Sequence, residues 1–121
     1  MLIAYWIAAA LLALFYAYSG GAKIVRSREA LLPMMHWVER APMAGVRAIG
    51  VLEVLGAIGL ILPPLTGIVP VLAIVAALGL ALVQVAGTVL HLVRGEARQI
   101  GLNVALLVIA IVTAWLATIW I

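Results

Sequence analysis

The sequence predicts an all-α protein, a four-transmembrane-helix bundle with a short interfacial helix between helices 1 and 2. Of its 121 residues, 69% are hydrophobic and only 9% are charged, and the mean hydropathy is +1.37. A soluble domain is about half apolar, so this chain must have lipid as its solvent. The length suits four helices of about 20–25 residues, and no segment alternates as barrel strands do. We expect one domain over residues 1–121.

Prolines, glycines and charged residues mark the ends of the predicted helices. Helix 1 carries no charge before Lys23, whereas a cleavable signal peptide would begin with positive charge, so we expect a retained span. Pro63-Pro64 is expected to end helix 2. Pro70 is tolerated in the first turn of helix 3, where its missing N–H has no helical partner. The predicted helices lie at about 2–25, 45–62, 68–92 and 100–120.

Residues 27–44, between helices 1 and 2, have mixed polarity. Pro33 suits a helix start and Pro42 a helix stop, and Trp37 suits the depth of the lipid headgroups. The apolar face of such a helix would be formed by Leu31, Met34, Met35 and Val38. We expect a short helix lying in the membrane interface, and an ordinary loop is the alternative.

All basic residues lie in two connections that fall on one side of the predicted bundle. The connection between helices 1 and 2, with its flanks, and the connection between helices 3 and 4 hold Lys23, Arg26, Arg28, Arg40, Arg47, Arg94 and Arg98. Basic connections face the cytoplasm. We therefore predict a multi-pass protein of the inner (plasma) membrane with both termini outside the cytoplasm. So few basic residues, placed at helix ends, do not indicate nucleic-acid binding.

Several kinds of chemistry lack their residues in this chain. There is no cysteine, which excludes disulfides, thiolate metal sites and cysteine nucleophiles within the chain. His36 and Glu39 have the i, i+3 spacing of di-iron bundles, but such sites need several more inward carboxylates, and only Glu53 is available. No phosphate-binding loop or nucleophile motif is present. We expect no metal site, no covalently bound cofactor and no catalytic residue.

Glu53 lies inside a predicted span, where an ionisable group is costly and is by default a functional-site candidate. It lies about 9 Å along its helix from Arg47, and therefore in the cytoplasmic half of the bilayer. A bare carboxylate is unfavourable at that depth, so we expect Glu53 to be protonated, or paired with Lys23, Arg47 or His91. A functional role and a purely structural ion pair are both open.

Four further residues complete the candidate ligand or proton site around Glu53: Lys23, Gln84, His91 and Asn103. Gln84 and His91 continue a stripe of alanines on helix 3, and small residues favour close helix packing in lipid. The candidates should therefore surround one inner volume. Each has a structural alternative. The amides can hold helices together, Lys23 can extend its ammonium to the interface, and His91 can be an ordinary interfacial histidine.

Three segments together resemble the DoxX-like membrane proteins: Ser19-Gly20-Gly21-Ala22-Lys23, IGVLEVLGAIGLILP at 49–63, and HLVRGE at 91–96 followed by Asn103. The likeness covers nearly the whole chain. It implies a small four-helix inner-membrane protein of bacteria or archaea, with family positions at Lys23, Glu53 and His91. Relatives include a membrane subunit of a thiosulfate:quinone oxidoreductase and proteins linked to membrane oxidoreductase complexes.

The expected function is that of a quinone- or lipid-binding accessory subunit of a membrane oxidoreductase system, with a redox protein or a second copy as partner. The chain has no cysteine and no haem or flavin motif. Electron transfer would therefore need a partner's cofactor or a bound quinone, and we expect no turnover by this chain alone. A small proton-coupled transporter using Glu53 is the alternative, although multidrug exporters of similar length carry their glutamate in the first helix and have a weak charge bias. A purely structural partner is the third hypothesis.

Overall fold

The computed structural model describes residues 1–121 and contains helices but no strand. The α-helices are α1 (Leu2–Val25), α2 (Arg28–Leu31), α3 (Met43–Thr66), α4 (Leu72–Val93) and α5 (Ile100–Leu116), with short 3-10 helices at His36–Glu39, Ala97–Gln99 and Ala117–Trp120. Helices α1, α3, α4 and α5, the last with its flanking 3-10 turns, are long and apolar enough to cross a membrane. The predicted all-α bundle of four transmembrane helices is confirmed.

The four long helices form a ring in which each packs on two neighbours. The closest contacts join α1 to α3 and α4 to α5, while α3 with α4, and more loosely α1 with α5, complete the ring. The core between them is rich in alanine, which lets backbones approach in a solvent where packing drives association. On α4 the buried residues include the stripe that the sequence predicts, Ala73, Ala77, Ala81 and Gln84.

Helix α3 continues through both of its prolines, so the prediction that Pro63-Pro64 ends the helix was wrong. The helix closes at Gly67, which has a left-handed φ of 73° and donates its N–H to the Pro63 carbonyl at 3.0 Å. Pro64 has no N–H to donate to the Leu60 carbonyl one turn earlier. The Tyr5 hydroxyl of α1 donates to that carbonyl instead, at 2.6 Å. A tertiary hydrogen bond thus replaces the helical one that Pro64 removes, and the helix continues to Thr66.

Helix α4 begins at Leu72, four residues later than the predicted start at about 68. The residues before it form a turn in which Val69 has a φ of 45°. The N–H groups of Leu72 and Ala73 donate to the carbonyls of Val69 and Pro70, three residues back. Pro70 therefore lies in the turn that precedes the helix rather than in the first turn of the helix.

The segment between α1 and α3 folds as two short helices rather than one. Pro33 follows α2 instead of starting a helix, and Pro42 is the N-cap of α3. Leu31 and Val38 are fully buried, whereas Met34 is 44% exposed, so only part of the predicted apolar face packs inward. The buried pair belongs to a small apolar cluster with residues of α1 and α3, which holds the segment against the end of the bundle.

The two basic connections lie at the same end of the bundle, because the four spans alternate in direction. Arg47, in the first turns of α3, donates through Nη1 to the carbonyls of Lys23 and Arg26, at 2.7 and 2.5 Å. These carbonyls belong to the C-terminal end of α1, where orphan acceptors and the helix dipole favour a cation. Arg47 therefore fastens α3 to the end of α1.

Candidate functional site

The crossing of α1 and α3 brings an ion pair into the bundle. At the crossing, a Cβ on Gly20 would lie 2.6 Å from the Gly50 carbonyl oxygen, and a Cβ on Gly50 would lie 2.7 Å from that of Gly20. Only glycine allows so close an approach of two backbones. Lys23 and Glu53 follow one turn later on the same faces. Their Nζ and Oε1 atoms are 2.5 Å apart, and Lys23 also donates to the Ser19 hydroxyl at 2.7 Å.

Of the three partners considered for Glu53, the structure selects Lys23. The other two are engaged elsewhere, Arg47 at the end of α1 and His91 with Glu96. Lys23 does not extend to the interface, since its side chain is 8% exposed and that of Glu53 only 2%. A buried charge is stable only when it is paired, so each member of the pair explains the burial of the other.

The buried ion pair retains hydrogen-bonding capacity. Glu53 bonds through Oε1 alone, which leaves Oε2 free to accept. Lys23 has three ammonium hydrogens and uses two, for Glu53 and Ser19. The pair therefore offers one donor and one acceptor to anything that reaches it.

A second polar group links three helices beside the ion pair. Gln84 of α4 donates through Nε2 to the hydroxyl of Tyr16 of α1 at 2.5 Å, and its Oε1 accepts from Asn103 Nδ2 of α5 at 2.9 Å. Tyr16 is fully buried. Asn103 faces Gly87, where a Cβ would lie 2.8 Å from its Nδ2. The two amides therefore hold helices together, which is the structural role considered above, and both also line the cavity described below.

His91 lies near the end of α4 that carries the basic connections. Its Nδ1 is 3.0 Å from Oε1 of Glu96, and the same oxygen accepts from Arg94 Nε at 2.9 Å. Arg94, and after it His91, lower the pKa of Glu96 by hydrogen bonding to its carboxylate. His91 thus has its own carboxylate partner, in the connection between α4 and α5.

All five candidate residues line one cavity of about 1070 Å³. Polar groups lie toward the basic end, and the rest of the lining consists mainly of apolar and small residues of α3 and α4. Several of these, including Leu52, Leu55 and Leu82, are more than half exposed on the surface that lipid would cover. No three His, Cys, Asp or Glu side chains are grouped closely enough to hold a metal ion. The cavity is therefore polar at one end and open to the membrane along its side.

Some residues of the site were missing from the sequence-based set. Tyr16 and Ser19 precede Lys23 by seven and four residues, so helical periodicity alone places them on the same face. No periodicity in the sequence places Glu96 near the site. It follows Gly95, whose φ of 74° turns the chain back after α4, and only this turn brings its carboxylate to His91.

Fold and site together define a class of protein, a multi-pass helical membrane protein with a buried ion pair beside a large lateral cavity. The family model described as the DoxX-like family matches residues 7–113, a range that contains all five candidate residues. The chain belongs to this family, as the resemblance of its motifs predicted. No curated protein and no solved structure gives a significant match.

Proposed function

We propose that this protein binds a membrane-dissolved molecule, a quinone or a lipid, and acts as an accessory subunit of a membrane oxidoreductase system. The observation that carries the proposal is the cavity, which combines a buried polar end with an apolar side open to lipid. Ligand pockets are mostly apolar and have a few convergent polar groups. An amphiphile with a polar head and an apolar tail matches that division.

The size of the cavity supports an amphiphile of substantial length. Its volume of about 1070 Å³ is at the upper end of the roughly 300–1,000 Å³ usual for small-molecule sites. At the polar end, the free oxygen of Glu53 and the remaining ammonium hydrogen of Lys23 can bond a head group. Ionisable groups within spans commonly mark substrate or proton pathways, which agrees with a ligand at this position.

The proposal includes a location and partners. The membrane would be the inner membrane, with the basic end of the bundle in the cytoplasm and both termini outside, because basic connections favour the cytoplasmic side. Arg40 and Arg98 are exposed at that end and would attract an acidic redox protein. A second copy of the chain is the other candidate partner. Since the chain has no cysteine, the electrons would pass through a partner's cofactor or a bound quinone.

The test is retention of the ligand during purification in native lipid discs. Quinones and lipids extracted from the purified protein are quantified per chain by mass spectrometry, for the wild type and for Glu53→Gln, with Glu39→Gln as the matched control at an exposed position. We expect about one retained molecule per wild-type chain and in Glu39→Gln, and about tenfold less in Glu53→Gln. Thermal unfolding of each variant separates loss of ligand from loss of fold. An empty wild type, or a folded Glu53→Gln that retains its ligand, contradicts the proposal.

Proton-coupled transport is the second candidate, because Glu53 is an ionisable residue in a span. Glu53 is bonded to the Lys23 ammonium, so a transport cycle that loads a proton onto Glu53 would have to break the pair each time. Uptake or resistance assays in cells distinguish the two functions. Transport that disappears in Glu53→Gln, from a protein that retains no ligand, would favour the transporter.

A further inference from the structure

We infer that the ligand has an uncharged head with hydroxyl or carbonyl groups, and that its apolar tail leaves the bundle sideways, between α3 and α4. The inference rests on the proposed binding function and narrows it to one class of ligand and one route. It depends on the charges that line the cavity, on the free atoms at its polar end and on the space along α4 at Gly79.

The charge of the lining argues for a neutral head group. Lys23 and Glu53 neutralise each other at 2.5 Å, and His91 has its own partner in Glu96. None of the arginines lines the cavity. Proteins hold phosphate groups with arginine, lysine or helix N-termini, and a buried charge without a partner is costly. A phospholipid phosphate would find no arginine and no unpaired lysine here, and the one further basic side chain of the lining, His36, is surface-exposed. A neutral head leaves the existing pair intact.

The free atoms at the polar end suit a hydroxyl or a carbonyl. One Lys23 ammonium hydrogen can donate to either group, and Glu53 Oε2 can accept from a hydroxyl. The Asn103 carbonyl and the second Nε2 hydrogen of Gln84 are also uncommitted. A quinone, its quinol or a neutral glycerolipid presents such groups, and all three carry long apolar tails.

The route of the tail follows from the space between α3 and α4. On α4 the lining of the cavity extends from Leu72 to His91, roughly 28 Å at a rise of about 1.5 Å per residue. That length approaches the roughly 30 Å thickness of the hydrocarbon core. At Gly79, in the middle of this lining, a Cβ would have no atom within 4 Å. A Cβ on Gly59 of α3 would instead lie 2.8 Å from the Ala76 Cβ, so the two helices are in contact there. The gap is therefore a groove on the exposed side of that contact, and at Gly79 it has room for an acyl or isoprenoid chain.

The experiment measures binding of a decyl-substituted benzoquinone to the protein in phosphatidylcholine nanodiscs. Trp37 lines the cavity, whereas Trp6, Trp115 and Trp120 lie near the chain ends at the opposite end of the bundle. Quenching of tryptophan fluorescence that is lost in Trp37→Phe reports occupancy of the cavity. A short-chain phosphatidylglycerol is then added as a charged competitor, and a short-chain diacylglycerol as a neutral one.

Blocking the gap gives the second arm of the experiment. Gly79→Phe places a ring in the opening, and Gly101→Phe is the matched control at an exposed helical glycine that also has no atom within 4 Å and lies outside the lining. We expect Gly79→Phe to weaken quinone binding by about tenfold or more, and Gly101→Phe to leave it unchanged. The neutral competitor should displace the probe, and phosphatidylglycerol should not.

The outcomes separate the inference from the proposed function. Binding that survives in Gly79→Phe, or displacement by phosphatidylglycerol, overturns the inference while the binding function stands. Absence of Trp37-dependent quenching in the wild type overturns the inference, because the probe carries the inferred head and tail. The binding function is contradicted separately, by a wild type that retains neither quinone nor lipid in native lipid discs. Equal loss of binding in both phenylalanine variants also overturns the lateral route, because the control does not touch the gap.

Discussion

Helix α3 makes two interfaces of different character. At α1 backbone meets backbone (the tight interface), whereas at α4 the backbone meets side chains, the Ala76 Cβ at Gly59 and Leu80 at Gly56, beside the cavity (the open interface). Toward α1, a Cβ on Gly20 or on Gly50 would lie within 2.7 Å of the carbonyl oxygen of the other glycine, so the two backbones are in direct contact. Toward α4, the nearest atoms to a Cβ on Gly56 belong to the Leu80 side chain. Glycine alone therefore does not determine how closely helices pack. The group that the partner helix presents decides whether the contact is rigid or adjustable.

The two interfaces have different roles in the bundle. The α1–α3 interface holds two opposite charges in place, and movement of one helix relative to the other would expose these charges to lipid. The α3–α4 interface borders the cavity along most of its lining, and its leucine side chains can move as an occupant enters. A rigid polar anchor beside an adjustable apolar opening is the arrangement that an amphiphile requires.

The largest effect is expected from breaking the ion pair at the tight interface. Lys23→Met leaves the buried Glu53 carboxylate without its cation, and removing one member of a buried pair costs about 3–5 kcal/mol. The double variant Lys23→Met, Glu53→Leu replaces both charges by apolar groups and should recover most of that loss. Unfolding in mixed detergent micelles measures the cycle. A double variant as unstable as the single one would show that the pair is not the source of the effect.

A smaller effect is expected from adding a methyl group at the glycines. Gly20→Ala drives a Cβ against the Gly50 carbonyl, and we expect a loss of about 1–3 kcal/mol, as for other overpacked sites. The neighbouring Gly21→Ala, with no atom within 4 Å, is the matched control and should be neutral or slightly stabilising. Unfolding in the same mixed micelles compares the two, and equal stabilities would contradict the close approach at Gly20.

A glycine-to-alanine substitution at the open interface is expected to cost less than the same substitution at Gly20. Gly56→Ala meets only the Leu80 side chain, at 2.6 Å, and Leu80 borders the cavity and can move into it. We expect a cost under about 1 kcal/mol, below the usual range for overpacking because the neighbour can yield. If Gly56→Ala destabilised the bundle as much as Gly20→Ala in the same unfolding assay, the two interfaces would not differ in rigidity.

The far end of the tight interface depends on one hydroxyl. Tyr5→Phe removes the donor to the Leu60 carbonyl, which Pro64 leaves without a helical partner, and we expect a loss of about 1 kcal/mol. Tyr18→Phe is the control, since Tyr18 is 57% exposed and its hydroxyl makes only a long contact to the Met34 sulfur, while the ring that faces Arg26 is kept. Equal melting temperatures for the two variants would contradict the role given to Tyr5.

The smallest effect is expected at Glu96, in the connection between α4 and α5, and it depends on pH. The folded pKa of Glu96 is lowered by Arg94 and His91, so its contribution is present above the unfolded pKa and is lost as the pH falls through the folded value. Amide hydrogen exchange of residues 94–99 should therefore accelerate as the pH falls below about 4.5, after correction for intrinsic rates. Glu96→Gln should remove this dependence while the amides of α1 remain unaffected. A wild-type profile that matches Glu96→Gln would exclude the carboxylate as its cause.

Local patterns in the sequence were enough for the architecture because each depends on one helix at a time. Hydropathy and length predicted four spans, and the stripe from Ala73 to Gln84 predicted the buried face of α4. Local patterns failed at Pro63-Pro64, where a hydroxyl from the other end of the sequence compensates for the missing N–H. They also failed for the segment around Pro33, whose two short helices are set by contacts with α1 and α3.

The site was only partly accessible to the same reasoning. Depth in the membrane singled out Glu53, Gln84, His91, Asn103 and Lys23, and all five line the cavity. The sequence did not predict which side chain each of these residues bonds. Lys23 and Glu53 are thirty residues apart, and spacing along either helix permits several pairings. Tyr16 was overlooked although periodicity places it on the face of Lys23, because an aromatic residue in an apolar span does not stand out as polar.

By itself, the sequence determined the solvent, the number of spans, the family and the common side of the basic connections, because these follow from composition and from order along the chain. The tertiary structure alone decided that α1 crosses α3 at two glycines, that Lys23 rather than Arg47 or His91 meets Glu53, and that one cavity is lined mainly by α3 and α4. The physical reason is that periodicity identifies the face a helix buries, whereas the group opposite that face depends on which helices are neighbours and how closely their backbones approach.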